Sequence, residues 1–526
     1  MQSIHFQNIR SLKDTGDINL TPITLLVGEN SSGKSTFLRT FPLLKQSIRK
    51  RTDGPLLWAG DMDDYVDFGS FKETITNKDT QEEISFSFTF NFKRRRNSRP
   101  ILGIIDFDET DLFGDMFPVD YSIFIKQLGQ SDIQAYISKV KIKIFQSEFL
   151  FLFSRNFSEV AVVVDGQAVK LNQGGNAKRL PIMPYMYNSN YNSIFGFTLP
   201  DIRSILFNVY EQLLFPESAN DNRLGLFHTF SREILNFLGA HLCHGEKLSS
   251  AIKANPNLQK SLKAEIRQIN DKLNSLDAKS RDKYIAEIKL IYFYECFPAI
   301  DDYLNLYFRQ IHYIAPLRAT AERYYRLRNL SIDEVDYQGK NLSIFLDGLQ
   351  RRNRISKFNE WTDKLFGFHV RTKNEAGHLS MQVFLQGKED SVNLSDTGFG
   401  FSQILPIITQ LWDLSTRQMR IPTLIAIEQP ELHLHPSLQA NLVNAFINSV
   451  TLPRTSTLQL LLETHSETIV NCFGQAIAEH KIPKDKVSVI LFSKNKADGL
   501  TEIKRSTFDE NGYLNDWPIG FFAPGR

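Results

Sequence analysis

Gly28-Glu29-Asn30-Ser31-Ser32-Gly33-Lys34-Ser35-Thr36 decides how the rest of the chain is read. It has the form G-x-x-x-x-G-K-S. An apolar run, Ile23–Val27, precedes it, and Phe37, Leu38, Phe41, Leu44 and Ile48 then recur at helical spacing. Strand, glycine-rich loop and helix form the setting in which this pattern cradles a phosphate. Successive backbone N–H groups turn inward, and the helix presents its positive end to the anion. Gly28 and Gly33 are expected to permit the turns. Lys34 is expected to reach the β- and γ-phosphates, and Ser35 to offer its hydroxyl to Mg²⁺. ATP and Mg²⁺ are the cofactors this loop implies.

Such a loop needs an acid delivered by a second strand. Thr423-Leu424-Ile425-Ala426-Ile427-Glu428 is an apolar strand ending in a carboxylate, so Glu428 is the expected metal-side acid. Gln429 follows, where ATPases of this type usually carry a Glu that polarises the attacking water. An amide can hold a water but cannot act as a base near neutral pH, which predicts tight binding and slow hydrolysis. Leu458–Leu462 is a further apolar strand, ending in Glu463-Thr464-His465-Ser466. His465 is placed to sense a γ-phosphate, with a capping or core histidine as the alternative. His433, His435 and Glu431 invite a zinc reading, as do His241, Cys243 and His244, but neither group has the accompanying ligand pair of a metal site, and structural histidines are preferred.

The wider composition is that of a globular protein. The 526 residues are 42% hydrophobic and 23% charged, which excludes a disordered or collagen-like chain. Lys+Arg 61 against Asp+Glu 59 leaves +2, so a nucleic-acid surface must be local. Lys93–Arg96 with Arg99, Arg323–Arg328 with its interleaved Tyr324 and Tyr325, and Arg351, Arg352 and Arg354 are the candidate basic runs, each of which could equally be a face balanced by acids. Three cysteines cannot make a disulfide framework, no apolar run is long enough for a bilayer, and the N-terminus lacks a signal-peptide core, so a cytoplasmic location is expected.

Between about 80 and 172 the apolar period changes to two, as in Ile84-Phe86-Phe88-Phe90. The segments Ile133–Phe145, Phe149–Phe153 and Val160–Val164 continue the pattern, and Asp165-Gly166 signals a hairpin before Gln167–Leu171. This predicts an antiparallel β-meander, followed by a Gly/Asn-rich loop at 173–195. From about 198 to 310 the pattern is helical. Leu258, Leu262, Ile266, Ile269, Leu273 and Leu276 predict a short coiled-coil arm or hairpin, or a helix packed on a domain.

Together, Phe6 to Asp14 (FQNIRSLKD), GENSSGKST, IEQPELHLHP and ETHS resemble the ABC-type ATPases of the overcoming-lysogenisation-defect and chromosome-maintenance lineage. The resemblance covers about three-quarters of the chain. It implies an α/β ATPase head of mixed sheet plus antiparallel β-subdomain, with residues 1–197 as its N-terminal half, 198–310 as a helical insertion and 311–526 as its C-terminal half. It also implies that Asn393–Gln403 is the signature loop, although it departs from the usual LSGGQ. In a head-to-tail homodimer or higher homo-oligomer, Ser395, Gly398 and Gly400 would then approach the partner's nucleotide; an ordinary Gly-rich turn is the alternative.

About 60 residues follow His465, too few for the topoisomerase-primase nuclease domain of the full-length overcoming-lysogenisation nucleases. With Ile314–Arg318 and Asp516–Phe522, the chain is most similar to the PtuA-type ATPases of Septu and retron-associated antiphage systems. That likeness implies a separate PtuB-like HNH nuclease partner, and a retron reverse transcriptase with its RNA and DNA. Two alternatives are a stand-alone DNA-remodelling ATPase of the repair type and, more weakly, a transporter ATPase subunit. Gln429 and the shortness of the helical region favour a regulatory subunit over a motor.

Overall fold

A computed structural model describes residues 1–50, 52, 54–61, 63–92, 117–129, 134–155, 160–169, 234–235, 237–246, 260–326, 332–375, 377–388, 390–417, 422–451 and 458–515. Lys93–Arg99, the 173–195 loop, the stretch 198–233, Leu258 and Asp516–Phe522 lie outside the described residues.

The two ends of the chain build one sheet. Its six strands run in the order Ile311–Ile314, Thr423–Glu428, Leu458–Glu463, Ile23–Gly28, Val487–Lys494 and Thr501–Thr507. All neighbours are parallel except the last pair. The N-terminal strand thus lies between two C-terminal ones. Alternate residues enter different cores. Ile23, Leu25 and Val27 join one apolar cluster with Ile425, Ile427, Leu460 and Leu462, whereas Leu26 joins the other with Leu424, Ala426, Leu461 and Ile490. Covering on both faces is why these strands read as unbroken apolar runs. Helix Lys34–Arg49 packs on the second of these faces through Phe37, Leu38 and Phe41, in the cluster of Leu26.

The meander is a nine-stranded antiparallel sheet. Its main path is Gln167–Val169, Val160–Val164, Ser147–Phe153, Ala135–Ile144, Phe117–Gln127, Ile84–Phe92, Ser3–Ile9 and Leu12–Asp14, with Ile18–Asn19 also paired to Ser3–Ile9. Phe117–Gln127 is a strand that the sequence reading did not separate out. The Asp165-Gly166 turn has both residues at positive φ, 49° and 81°, as a tight hairpin requires.

Helices Lys260–Ser275 and Ala278–Arg309 form a hairpin. Ile266, Ile269 and Leu273 are buried in the same cluster as the meander, and Phe293 stacks on Phe149 with centroids 4.5 Å apart. The heptad-like spacing therefore marks a packed helix pair and not a projecting arm. A smaller sheet, of Tyr325–Arg326, Phe368–Glu375, His378–Leu385 and Ser391–Asn393, leads through a short 3-10 turn into helix Phe399–Thr416.

Candidate nucleotide site

The strand ends bearing Gly28, Glu428 and Glu463 lie side by side. Glu428 is registered opposite Glu463, and Glu463 opposite Leu26. The loop leaves Gly28 and enters the helix at Gly33, whose φ of 101° suits glycine. Gly28 answers a different need. A Cβ there would collide with the backbone carbonyl of Phe492 on the adjoining strand, so close strand packing demands it. Glu29, Asn30 and Ser31 form the exposed tip, Ser32 is buried, and Ser35 and Thr36 open the helix half-buried.

Lys34 is 3% exposed and folds back on the loop. Its ammonium donates to the carbonyls of Gly28 at 2.9 Å and Glu29 at 2.6 Å. Burial lowers its pKa, against the opposing pull of Glu463, Glu29 and Glu431. His465, half-buried, feels the Lys34 charge as well, and burial with that charge holds its imidazole below the ordinary value. Ser35 Oγ donates to Glu463 Oε1 at 2.7 Å. Burial and the neighbouring Glu428 carboxylate push Glu463 up to about 7, against Ser35, Lys34 and Arg39, which stabilise its anion.

Glu428 is fully engaged. Arg39 donates to it bidentately, Nε to Oε1 and NH2 to Oε2, both at 2.8 Å, and the Tyr313 hydroxyl donates to Oε1 at 2.8 Å. These bonds raise the Arg39 pKa, while burial raises that of Tyr313 well above its usual value. The buried Arg318 donates to the carbonyls of Glu428 at 3.0 Å and Gln429 at 3.2 Å. Gln429 sits at φ 45°, outside the range that L residues prefer, and its N–H donates to the Glu463 carbonyl at 2.8 Å. The amide side chain of Gln429 has no hydrogen bond among the described residues.

Glu431 is occupied by the turn that follows the neighbouring strand Leu458–Glu463. It accepts from Thr464 Oγ1 at 2.9 Å and from the His465 N–H at 2.7 Å, and burial raises its pKa. His433 is exposed and His435 bonds Ser437, so no three-ligand cluster forms there. His241 pairs with Glu246 at 2.6 Å, and His244 bonds the Ala240 carbonyl at 2.7 Å. Among the described residues no group of three or more His, Cys, Asp or Glu is placed to hold a metal.

In the expected signature loop, Gly398 at φ 82° leads into helix Phe399–Thr416 and no side chain caps that helix start. The Ser395 hydroxyl turns inward to Asn393 Oδ1 at 2.9 Å and Asp396 Oδ1 at 3.2 Å. Gly400 follows in the first turn. Three arginines of the basic runs are met by acids: Arg323 grips Asp396 at 2.8 Å, Arg351 pairs with Asp347 at 2.6 Å, and Arg354 pairs with Asp413 at 2.9 Å. Among the described residues no helix is long and apolar enough to cross a membrane.

Arg39, Tyr313 and Glu463 were not singled out from the sequence. Arg39 lies four residues beyond Ser35 on the same helical face, a spacing that could have flagged it. Tyr313 and Glu463 reach the site only through strand order.

The family model described as AAA ATPase domain matches residues 1–470, and the chain belongs to that family. A search of curated proteins finds no match. Among solved structures the chain is similar to the Smc head domain of Pyrococcus furiosus with an extended coiled coil bound to the C-terminal domain of ScpA. That likeness has 12% identity and a TM-score of 0.34, and covers 96% of each chain. It is similar also to the SMC head domain of Thermotoga maritima, with 10% identity and a TM-score of 0.34, covering 96% of this chain and 97% of that one.

Proposed function

We propose that this ATPase-domain protein binds ATP with Mg²⁺ at the Gly28–Thr36 loop, hydrolyses it slowly, and uses nucleotide state to control a separate nuclease. The convergence of Lys34, Ser35, Glu428, Glu463 and His465 at one end of a parallel sheet is the observation that carries the nucleotide assignment. The donor set fits the cofactors. Lys34 spends its protons on loop carbonyls, where a phosphate would compete for them. Ser32 Oγ and Glu463 Oε2 are buried and lack partners among the described residues. Hard oxygen donors of this kind suit Mg²⁺, with Ser35 and a strand-end acid, Glu428 or Glu463, holding it. The ion would supply charge neutralisation at the phosphates.

Gln429 carries the second part of the reading. It follows Glu428 directly, held by Arg318 through its carbonyl and by Glu463 through its N–H. With the backbone fixed there, a side-chain amide can orient water but cannot accept its proton, which favours long-lived ATP binding. The exposed Gly398 and the uncapped helix start behind it suit a head-to-tail homodimer closing over nucleotide. The resemblance to PtuA-type ATPases supports an HNH nuclease as the controlled partner and an antiphage setting.

Mass measurement of the purified chain with and without ATP·Mg²⁺ tests the dimer, with nucleotide-dependent doubling expected and an unchanged monomer as the contrary result. Co-expression with an HNH protein encoded beside it tests the partner. Complex formation with ATP-dependent cleavage supports the reading; DNA or RNA cleavage by this chain alone contradicts it.

A further inference from the structure

Thr501 reaches the phosphate loop from the far end of the chain. It opens the last strand of the six-stranded sheet, Thr501–Thr507, opposite Lys494. The turn before it is closed by the Asn495 N–H, which donates to the Leu500 carbonyl at 2.8 Å. The Thr501 N–H donates to the Ser11 carbonyl at 2.9 Å, and its hydroxyl bonds Ser11 Oγ at 2.8 Å. Ser11 is itself fixed in the two-residue turn between Ile9 and Leu12, which pair across their strands. The Thr501 hydroxyl also donates to the Ser32 carbonyl at 2.8 Å. Ser32 is 1% exposed and Thr501 8%, so water has little access to this bond.

We propose that Thr501 is a positioning residue of the nucleotide site: its hydroxyl, backed by Ser11, turns the Ser32–Gly33 peptide so that the Gly33 N–H faces the phosphates. This rests on the ATP reading above. Across a planar trans peptide the N–H points opposite to the C=O. Holding the Ser32 carbonyl toward Thr501 therefore aims the Gly33 N–H away from Thr501, to the side where a loop of inward N–H groups receives an anion. Gly33 leaves the room that this needs, since a Cβ there would stand 2.5 Å from Thr501 Oγ1. A buried carbonyl whose donor is removed is costly to leave unmatched, so the peptide would turn to find another partner. Thr501 lies beyond residue 470, where the family match ends, so the contact is not one that the family match supplies.

The test uses the full chain and adenylyl imidodiphosphate with Mg²⁺, followed by calorimetry at a temperature where each variant is folded. Thr501→Val keeps the shape and removes the donor, and should weaken binding by about tenfold. Thr501→Ser restores the hydroxyl and should bind within about threefold of wild type. Thr501→Cys, with its weak S–H donor, should fall between the two. Wild-type affinity in Thr501→Val overturns the proposal. So does a Thr501→Ser variant as weak as Thr501→Val, because shape and not the hydroxyl would then matter. If Thr501→Val does not fold, the comparison of Thr501→Ser with Thr501→Cys decides, and equal affinity in those two overturns the proposal. Failure of the wild-type protein to bind the nucleotide at all overturns the ATP reading itself, a distinguishable result.

Discussion

The Ser35 hydroxyl donates to Glu463 at 2.7 Å, joining the first turn of the phosphate-loop helix to the end of a strand near the opposite end of the chain. The contact exists because Ile23–Gly28 and Leu458–Glu463 are parallel neighbours. It places a nearly fully buried carboxylate beside a second one, Glu428, and burial together with this pairing raises the Glu463 pKa.

Glu463 has a folded-state pKa raised to about 7 by burial and by Glu428. A raised carboxylate contributes its stability below its unfolded value, near 4.5, and loses it as pH climbs through about 7. In the nucleotide-free protein, Glu463→Gln removes the ionisation. The variant should therefore be more stable than wild type at pH 8, by on the order of 1–3 kcal/mol, with the advantage shrinking toward pH 5. Paired thermal melts across that range measure this, and a difference independent of pH contradicts it.

Arg39 is the counter-charge of Glu428. Arg39→Ala leaves a buried carboxylate with only the Tyr313 hydroxyl. Stability should fall by about 2–4 kcal/mol. The double variant Arg39→Ala with Glu428→Gln should recover much of that loss, because no charge is then stranded. Denaturant titrations close the cycle; additive losses in the double variant count against the pairing.

Gly28 was read from sequence as a turn residue, yet its requirement comes from Phe492. Gly28→Ala should therefore destabilise the protein without any nucleotide present, by roughly 1–3 kcal/mol. Melting the nucleotide-free variant decides the matter, since an intact melting temperature would return Gly28 to a purely phosphate-related role.

Gln429→Glu restores a base at the position following Glu428. Steady-state phosphate release should rise by about tenfold or more. An unchanged rate places the attacking water elsewhere.

What the sequence made legible follows from how local each signal is. The phosphate loop, the Asp165-Gly166 hairpin and the strands Thr423–Glu428 and Leu458–Glu463 were readable because spacing and apolar runs state them directly. Phe117–Gln127 was not separated out. Pro118 interrupts its start, and its strand character is set by pairing with Ile84–Phe92 and Ala135–Ile144 on either side. The Leu/Ile spacing over 258–276 is common to an arm and to a packed helix; burial of Ile266 and Ile269 in the core shared with the meander decides between them. Whether Arg323 and Arg354 are free or balanced by acids is not legible locally, because their partners Asp396 and Asp413 lie 73 and 59 residues away. Glu463 is visible in sequence only as part of the ETHS motif, because nothing beside it reveals its contact with Ser35.

Calorimetric titration of the wild-type protein and Lys34→Ala with adenylyl imidodiphosphate and Mg²⁺ tests the central claim most directly. The account predicts clear binding to wild type and a loss of about a hundredfold or more in Lys34→Ala, measured at a temperature where the variant is folded. Equal affinity in the two proteins would contradict it.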